Sequence, residues 1–357
     1  MDEPITTTPI PTGELKTLME SANKLYWANF DGRTWFGRCI FLSWYCEKGS
    51  CIFCFRSVTK ERIKDPSKAR RSLASVIAEA MLIKGMGWRI EFLTGGYGIL
   101  GDEELLRVAK LVSQVLEEPI WINLGEMGVK LLEDFKPYVQ GLYSSIETME
   151  PKLHKEVCPD KPIEPYVDMM KDAEKLGYTN AITIIIGLGE NQADFPLLNN
   201  FIEDNNIKRI TIYALRPVRG TPFEHGPKPE DVAWWIAKTR IAFPKIEIIV
   251  GSARYRIPEI SLFFDAGANA VTKLPATNMF NTKDALRVEE EFKKSKRIFT
   301  GTFVCKDVYS KANWEGMLDR LDVTADERAD IKKTLMLYLD GMNKKASSLF
   351  VDSCEIN

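Results

Sequence analysis

Histidine is nearly absent: His154 and His225 are the only two in 357 residues. Mechanisms that need several imidazoles, as metal ligands or as paired acid and base, are thereby disfavoured. No window approaches the roughly eighteen apolar residues of a membrane span. Charge of one sign is also missing, with 48 Lys+Arg against 50 Asp+Glu and no long run of either. That balance speaks against nucleic acid or an anionic membrane as partner and favours a small-molecule substrate. The opening "MDEPITTTPIPTGE" has neither the basic start nor the apolar stretch of a secretory signal. The expected location is therefore the cytoplasm, where clustered thiols more often mean metal or redox chemistry than disulfides. Solenoid repeats and low-complexity tracts are absent as well.

What is present suits one large globular domain or a compact pair, at 45% hydrophobic and 27% charged. "LKTLMESANKLYWANF" (15 to 30) spaces Leu15, Leu18, Met19, Ala22 and Leu25 as a helix packed on one face. From residue 38 short apolar runs alternate with amphipathic stretches. The runs are "RCIFLSW" (38 to 44), "RIEFLTG" (89 to 95), "IWINLG" (120 to 125), "GLYSSIE" (141 to 147), "AITIIIGLG" (181 to 189), "RITIYALRP" (209 to 217), "IEIIVGS" (246 to 252) and, weakly, "ANAVTK" (268 to 273). Several are apolar on consecutive positions, as parallel strands covered on both faces are. Helical stretches lie between them, including 66 to 85 and 102 to 118. Repeated strand–helix alternation without a dinucleotide fingerprint predicts an α/β fold built as a (βα) barrel, complete or partial. The expected organisation is a tail and helix over 1–34, the barrel over 35–297, and a helical extension over 298–357. That extension includes a helix over 324 to 345, opened by Thr324 with Glu327 three positions on.

Chemistry in such barrels sits at the carboxyl ends of strands. There, in "YCEKGSCIFCF" (45 to 55), Cys46, Cys51 and Cys54 crowd together on a long loop, in a chain of seven cysteines. Cys39, Cys158, Cys305 and Cys354 are scattered, and Cys39 reads as a buried inert thiol. A structural zinc site wants four closed ligands in two pairs, and only the Cys51 and Cys54 pair is closely spaced. Three thiolates could instead hold a 4Fe-4S cluster and leave one iron open to a cosubstrate. A zinc-stabilised binding protein and an iron-sulfur electron carrier stay open as alternatives.

The cysteine loop resembles that of the radical S-adenosylmethionine superfamily, whose motif is Cys-x3-Cys-x2-Cys with an aromatic before the last cysteine. Phe53 holds the aromatic place, which the family packs on adenine. The first spacing here is four residues instead of three. The resemblance implies a 4Fe-4S cluster on Cys46, Cys51 and Cys54, with S-adenosylmethionine (SAM) as cosubstrate and a low-potential electron donor as partner. It further implies that the backbone at Gly95 and Gly96 binds the methionine amino group, with Tyr97 where the family has an acid. Ser145 and Glu147 would face the ribose, Gly187 would lie at the adenine, and Leu215 would also contact the cosubstrate. "YALRPVRGTPFE" (213 to 224) and the stretch ending in Ala-Gly-Ala-Asn (266 to 269) continue the likeness, which covers roughly 35 to 300.

Within the superfamily the chain resembles the branch of biotin synthase, HydE and the methylornithine synthase of pyrrolysine biosynthesis. Biotin synthase's sulfur-donating second cluster has no matching cysteines here, so sulfur insertion is disfavoured. The longer cysteine spacing is most like HmdB, associated with the guanylylpyridinol iron cofactor of Hmd hydrogenase. HydE-like or methylornithine-synthase-like chemistry is the alternative. The branch's carboxylate-gripping arginine should fall near 166, where this chain has Tyr166, leaving Arg56 or Arg216 as substitutes. Arg254 is expected either to enter the lumen and bind a substrate anion, with Arg216 and Tyr213 as further contacts, or to close the barrel by a salt bridge. His154 is expected on the surface.

Overall fold

The protein is described by a computed structural model covering residues 12–98 and 100–351. Cys354 and the first eleven residues lie outside the described residues. The strands are β1 (Arg33–Thr34), β2 (Phe36–Phe41), β3 (Arg89–Thr94), β4 (Ile120–Asn123), β5 (Val139–Glu147), β6 (Thr179–Ile186), β7 (Arg209–Ala214), β8 (Glu247–Gly251), β9 (Ala270–Thr272) and β10 (Ile298–Phe299). β2 through β9 close into an eight-stranded parallel barrel in chain order. All eight expected runs are its strands, including the weak one at β9. β1 and β10 pair as a separate parallel ribbon that ties residues 33–34 to 298–299.

The helices cover the barrel. Leu73–Gly85 is apolar nearly all round because it lies between the sheet and the long helix Ala325–Val351. Asp102–Leu116 is amphipathic and buries Val108, Ala109, Leu111, Val112 and Val115. Thr12–Asn29 packs on Pro229–Ala242. The expected capping box forms: Glu327 N–H donates to Thr324 Oγ1 at 3.2 Å, and Thr324 N–H donates to the Glu327 carboxylate at 3.0 Å.

Two expected boundaries shift for one reason. Residues 69–71 run beside the end of β2, where Trp44 N–H donates to Ala69 O at 3.1 Å and Arg71 N–H to Leu42 O at 2.8 Å. That pairing draws the chain out of the sheet after Phe41 rather than near Trp44. It also uses up the first turn of the helix expected from residue 66, so the helix starts at Leu73 behind an N-cap at Ser72. The long loop expected to carry the cysteines contains a short helix, Phe55–Thr59, directly after Cys54.

The lumen is closed at its amino end. Arg209, paired with Glu247, lies over the Trp121 ring at 3.9 Å and over Trp35 at 5.6 Å. Above this floor β3 carries an extra residue, Glu91, between the pairs Arg38–Ile90 and Cys39–Phe92. Its buried carboxylate accepts hydrogen bonds from Thr211 (2.8 Å), Tyr213 (3.0 Å), Cys39 (2.8 Å) and Thr272. Those four donors, from three strands, offset the several kcal/mol that a bare buried carboxylate costs. Cys39 is thus buried as expected, but hydrogen-bonded inside the lumen, where burial raises its pKa.

Candidate active site

The three clustered cysteines sit half-buried on the segment from Leu42 to Cys54, at the carboxyl mouth of the barrel. The loop after β3 holds this segment in place. Gly96 N–H donates to Ser43 Oγ at 3.0 Å, Tyr97 N–H points at Cys46 Sγ at 3.4 Å, and Glu47 N–H returns to Tyr97 O at 3.0 Å. Gly96 is a glycine because of close approach: a Cβ there would overlap Tyr45 O and come within 2.7 Å of Cys46 Cα. Gly95 faces no such obstacle, its nearest neighbour being Ser43 Oγ at 3.4 Å. A cleft of about 710 Å³ opens beside Gly95 and Gly96 and reaches between the loops after β3 and β4.

Cys158, expected to be scattered, lies beside Cys51. It packs in one apolar cluster with Cys51, Ile52, Phe53, Leu188 and Leu215, because Ile52 N–H bonds Val157 O at 3.0 Å and joins the two loops. Hydrogen bonding with Cys158 lowers the Cys51 thiol to about 7, with help from the Lys161 ammonium. Burial raises Cys54 despite the neighbouring Arg56. The same cluster brings together Phe53 and Leu215, two residues far apart in sequence that were expected at one ligand. Gly187 adjoins it at φ 106°, where a Cβ would meet Leu215 Cβ at 3.1 Å.

Glu147 ends β5 at φ 69°, a left-handed conformation that costs a non-glycine residue roughly 1–3 kcal/mol. Its carboxylate accepts from buried Lys161 at 2.6 Å. The lysine pKa stays above its ordinary value, since Glu147 and neighbouring groups outweigh the opposing effect of burial. Ser145, two residues earlier, exchanges hydrogen bonds with Asn123 at 2.9 and 3.1 Å. Lys161 had no sequence signal of its own. It is a lone lysine in a loop, five residues from the place where an arginine was sought.

Two departures from the family pattern meet. The Tyr97 and Tyr166 hydroxyls are hydrogen-bonded to each other, and Tyr97 also donates to Glu126 at 2.5 Å, which pairs with Lys48 at 2.6 Å. Burial raises both phenol pKa values. Glu190 folds back on its own loop and accepts from the N–H groups of Gly187 (2.7 Å), Leu188 (2.9 Å) and Gly189 (3.2 Å). Burial pushes its carboxyl up to about 7 against the pull of these donors.

Two expectations are corrected. Arg254 does not enter the lumen: it is exposed and pairs with Asp284, because residues 254–259 form a turn outside the strand ends. Arg216 is exposed in the loop after β7. His154 is buried rather than on the surface, with Nε2 lacking a hydrogen-bond partner, and desolvation lowers its pKa. Tyr213 does face the lumen, through Glu91. Arg56 is at the site: it donates to Ser43 O at 2.7 Å, lies over the Phe55 ring at 4.8 Å and keeps a buried Nε without a partner.

The donor set fits an iron-sulfur cluster. Among the described residues no three Cys, His, Asp or Glu side chains converge on a single ion. A cubane cluster binds each thiolate through a different iron and so tolerates wider spacing. The unpartnered Arg56 Nε and the apolar wall of Phe53 and Leu215 beside the thiols fit a cosubstrate that bears a carboxylate and an adenine.

This site, at the mouth of a closed parallel barrel, defines a class of enzyme that sequence comparison identifies. Residues 44–202 match the Radical SAM superfamily and residues 211–298 the Biotin and Thiamin Synthesis associated domain. The chain belongs to the radical SAM superfamily and is a radical SAM enzyme. It is 36% identical to an uncharacterized protein of Methanocaldococcus jannaschii over 83% of each chain. It is 26% identical to the biotin synthase of Clostridium tetani over 62% of this chain and 69% of that one. Two solved structures share the fold. Methylornithine synthase (PylB) has TM-score 0.64 and 23% identity over 74% of this chain and 79% of that one. The FeFe-hydrogenase maturase HydG from Carboxydothermus hydrogenoformans has TM-score 0.65 and 15% identity over 96% and 87%. No described helix is long and apolar enough to cross a membrane.

Proposed function

We propose that this enzyme holds a 4Fe-4S cluster on Cys46, Cys51 and Cys54, cleaves SAM reductively, and acts on a small molecule in the lumen. The carrying observation is the seating of Tyr45 and Cys46 on Gly96, which fixes the first thiol against the β3 loop. When bound, the cluster supplies the electron that releases a 5′-deoxyadenosyl radical from SAM. The protein's part is to place and to exclude. Arg56 would take the cosubstrate carboxylate, Glu147 held by Lys161 the ribose hydroxyls, and Phe53 with Leu215 the adenine. The closed floor of Arg209, Trp121 and Trp35 leaves only the carboxyl mouth as entry, which limits water and competing molecules. A low-potential protein or small-molecule reductant would serve as electron donor.

The four-residue spacing between Cys46 and Cys51 supports an HmdB-like role in making the guanylylpyridinol iron cofactor of Hmd hydrogenase. The test is genetic. Deletion of the gene in its host should remove Hmd activity and the guanylylpyridinol cofactor together. Retention of the cofactor overturns the HmdB-like role while leaving SAM cleavage to be measured separately.

A further inference from the structure

One cation in the lumen is used neither by the cofactor site nor by the fold. Lys273 follows β9 at the carboxyl end of the barrel, with its backbone at φ 67°. A lysine adopts that left-handed conformation only where its surroundings impose it, and such positions gather at functional sites. Its ammonium hangs over three aromatic rings of the lumen wall, 4.5 Å from the centroid of Phe41, 5.1 Å from Tyr213 and 5.7 Å from Phe92. The side chain is nevertheless exposed at the mouth, and among the described residues no carboxylate lies within ion-pair distance of it. The lumen carboxylate, Glu91, is already engaged by Cys39, Thr211, Tyr213 and Thr272. Ring faces steady a cation but leave its charge uncancelled. A lysine kept only to balance Glu91 would be drawn down to that carboxylate and buried.

We propose that Lys273 anchors an anionic group of the substrate, a carboxylate or a phosphate, and that the apolar remainder of the substrate lies against the half-buried rings of Phe41 and Tyr213. This rests on the lumen being the place where the radical meets its substrate. A strongly bound anion at the ammonium would orient the rest of the molecule below the cysteine loop, where positioning governs a radical that attacks most bonds within reach.

The test uses the full chain and three small probes: benzoate, phenyl phosphate and neutral benzamide, titrated by calorimetry. One of the two anions should bind, and the tighter of them tells carboxylate from phosphate. Lys273→Gln should weaken that anion about tenfold or more, and Lys273→Arg should keep it within about threefold. Benzamide should not distinguish the three proteins. If Lys273→Gln fails to fold, wild-type protein answers alone: the anion should slow trinitrophenylation of Lys273, followed by mass spectrometry, and benzamide should not. Anion binding that ignores Lys273→Gln, no anion binding, or no protection of Lys273 each overturns the proposal. Release of 5′-deoxyadenosine is measured on the same preparation. Release together with Lys273-independent binding removes this site alone, whereas Lys273-dependent binding without release removes the radical chemistry and leaves the anion site.

Discussion

Gly95 and Gly96 are adjacent and equal in sequence, yet the structure separates them. A Cβ on Gly96 would overlap Tyr45 O and come within 2.6 Å of Tyr45 C and 2.7 Å of Cys46 Cα. The obstacle is backbone, so no rotamer change relieves it, and the loop carrying the first thiol must lift. Overpacking of this kind costs about 1–3 kcal/mol. The barrel core does not touch the overlap, so that cost falls on the seat of the loop. At about 1.4 kcal/mol per decade, Gly96→Ala should weaken retention of iron by about tenfold or more while the fold persists. Gly95→Ala meets Ser43 Oγ at 3.4 Å and Leu42 Cβ at 3.5 Å, ordinary contacts, and should behave as wild type. The assay is iron and acid-labile sulfide per chain after anaerobic reconstitution and desalting, with circular dichroism confirming the fold. Equal cluster content in Gly96→Ala and Gly95→Ala would show that the β3 loop does not seat the cysteine segment, and would refute the reasoning.

Other consequences follow from the same contacts. Lys161→Met leaves the Glu147 carboxylate buried without its cation and should cost about 3–5 kcal/mol in denaturant unfolding. The double variant Glu147→Gln with Lys161→Met should recover most of that loss, and equal losses would contradict the pairing. The Glu190 carboxyl, raised by burial to about 7, contributes stability that is fully present below the ordinary carboxylate range and is lost as pH rises through about 7. Wild-type protein should therefore lose on the order of 3 kcal/mol between pH 5 and pH 8 relative to Glu190→Gln, and parallel profiles would exclude it. Thr324→Ala removes one half of the capping box and should cost about 1 kcal/mol, read from the same unfolding curves.

Strand periodicity made the barrel legible because parallel strands covered on both faces are apolar on consecutive positions, and even the short β9 carried that mark. The cysteine loop was legible for another reason: three clustered thiols have few other uses at a strand end, whereas the two glycines beside it read as a turn until the family resemblance gave them a role. What stayed hidden depends on tertiary approach. Nothing local to "KARR" shows that residues 69–71 run beside β2 and delay the helix to Leu73. Cys158 and Cys51 are far apart in sequence and meet only because Ile52 bonds Val157. Lys161 and Lys273 are ordinary surface letters until the fold buries one against Glu147 and hangs the other over Phe41. Arg254 failed as a lumen residue because a turn, not a strand, presents it.

The most direct test of the account is cleavage of SAM itself. The protein is reconstituted anaerobically with iron and sulfide, reduced with dithionite and given SAM, and 5′-deoxyadenosine is followed by chromatography beside a Cys51→Ala control. The account predicts 5′-deoxyadenosine from the wild type and none from Cys51→Ala. A wild-type protein that loads a cluster and releases none, or a Cys51→Ala variant that releases as much, would contradict it.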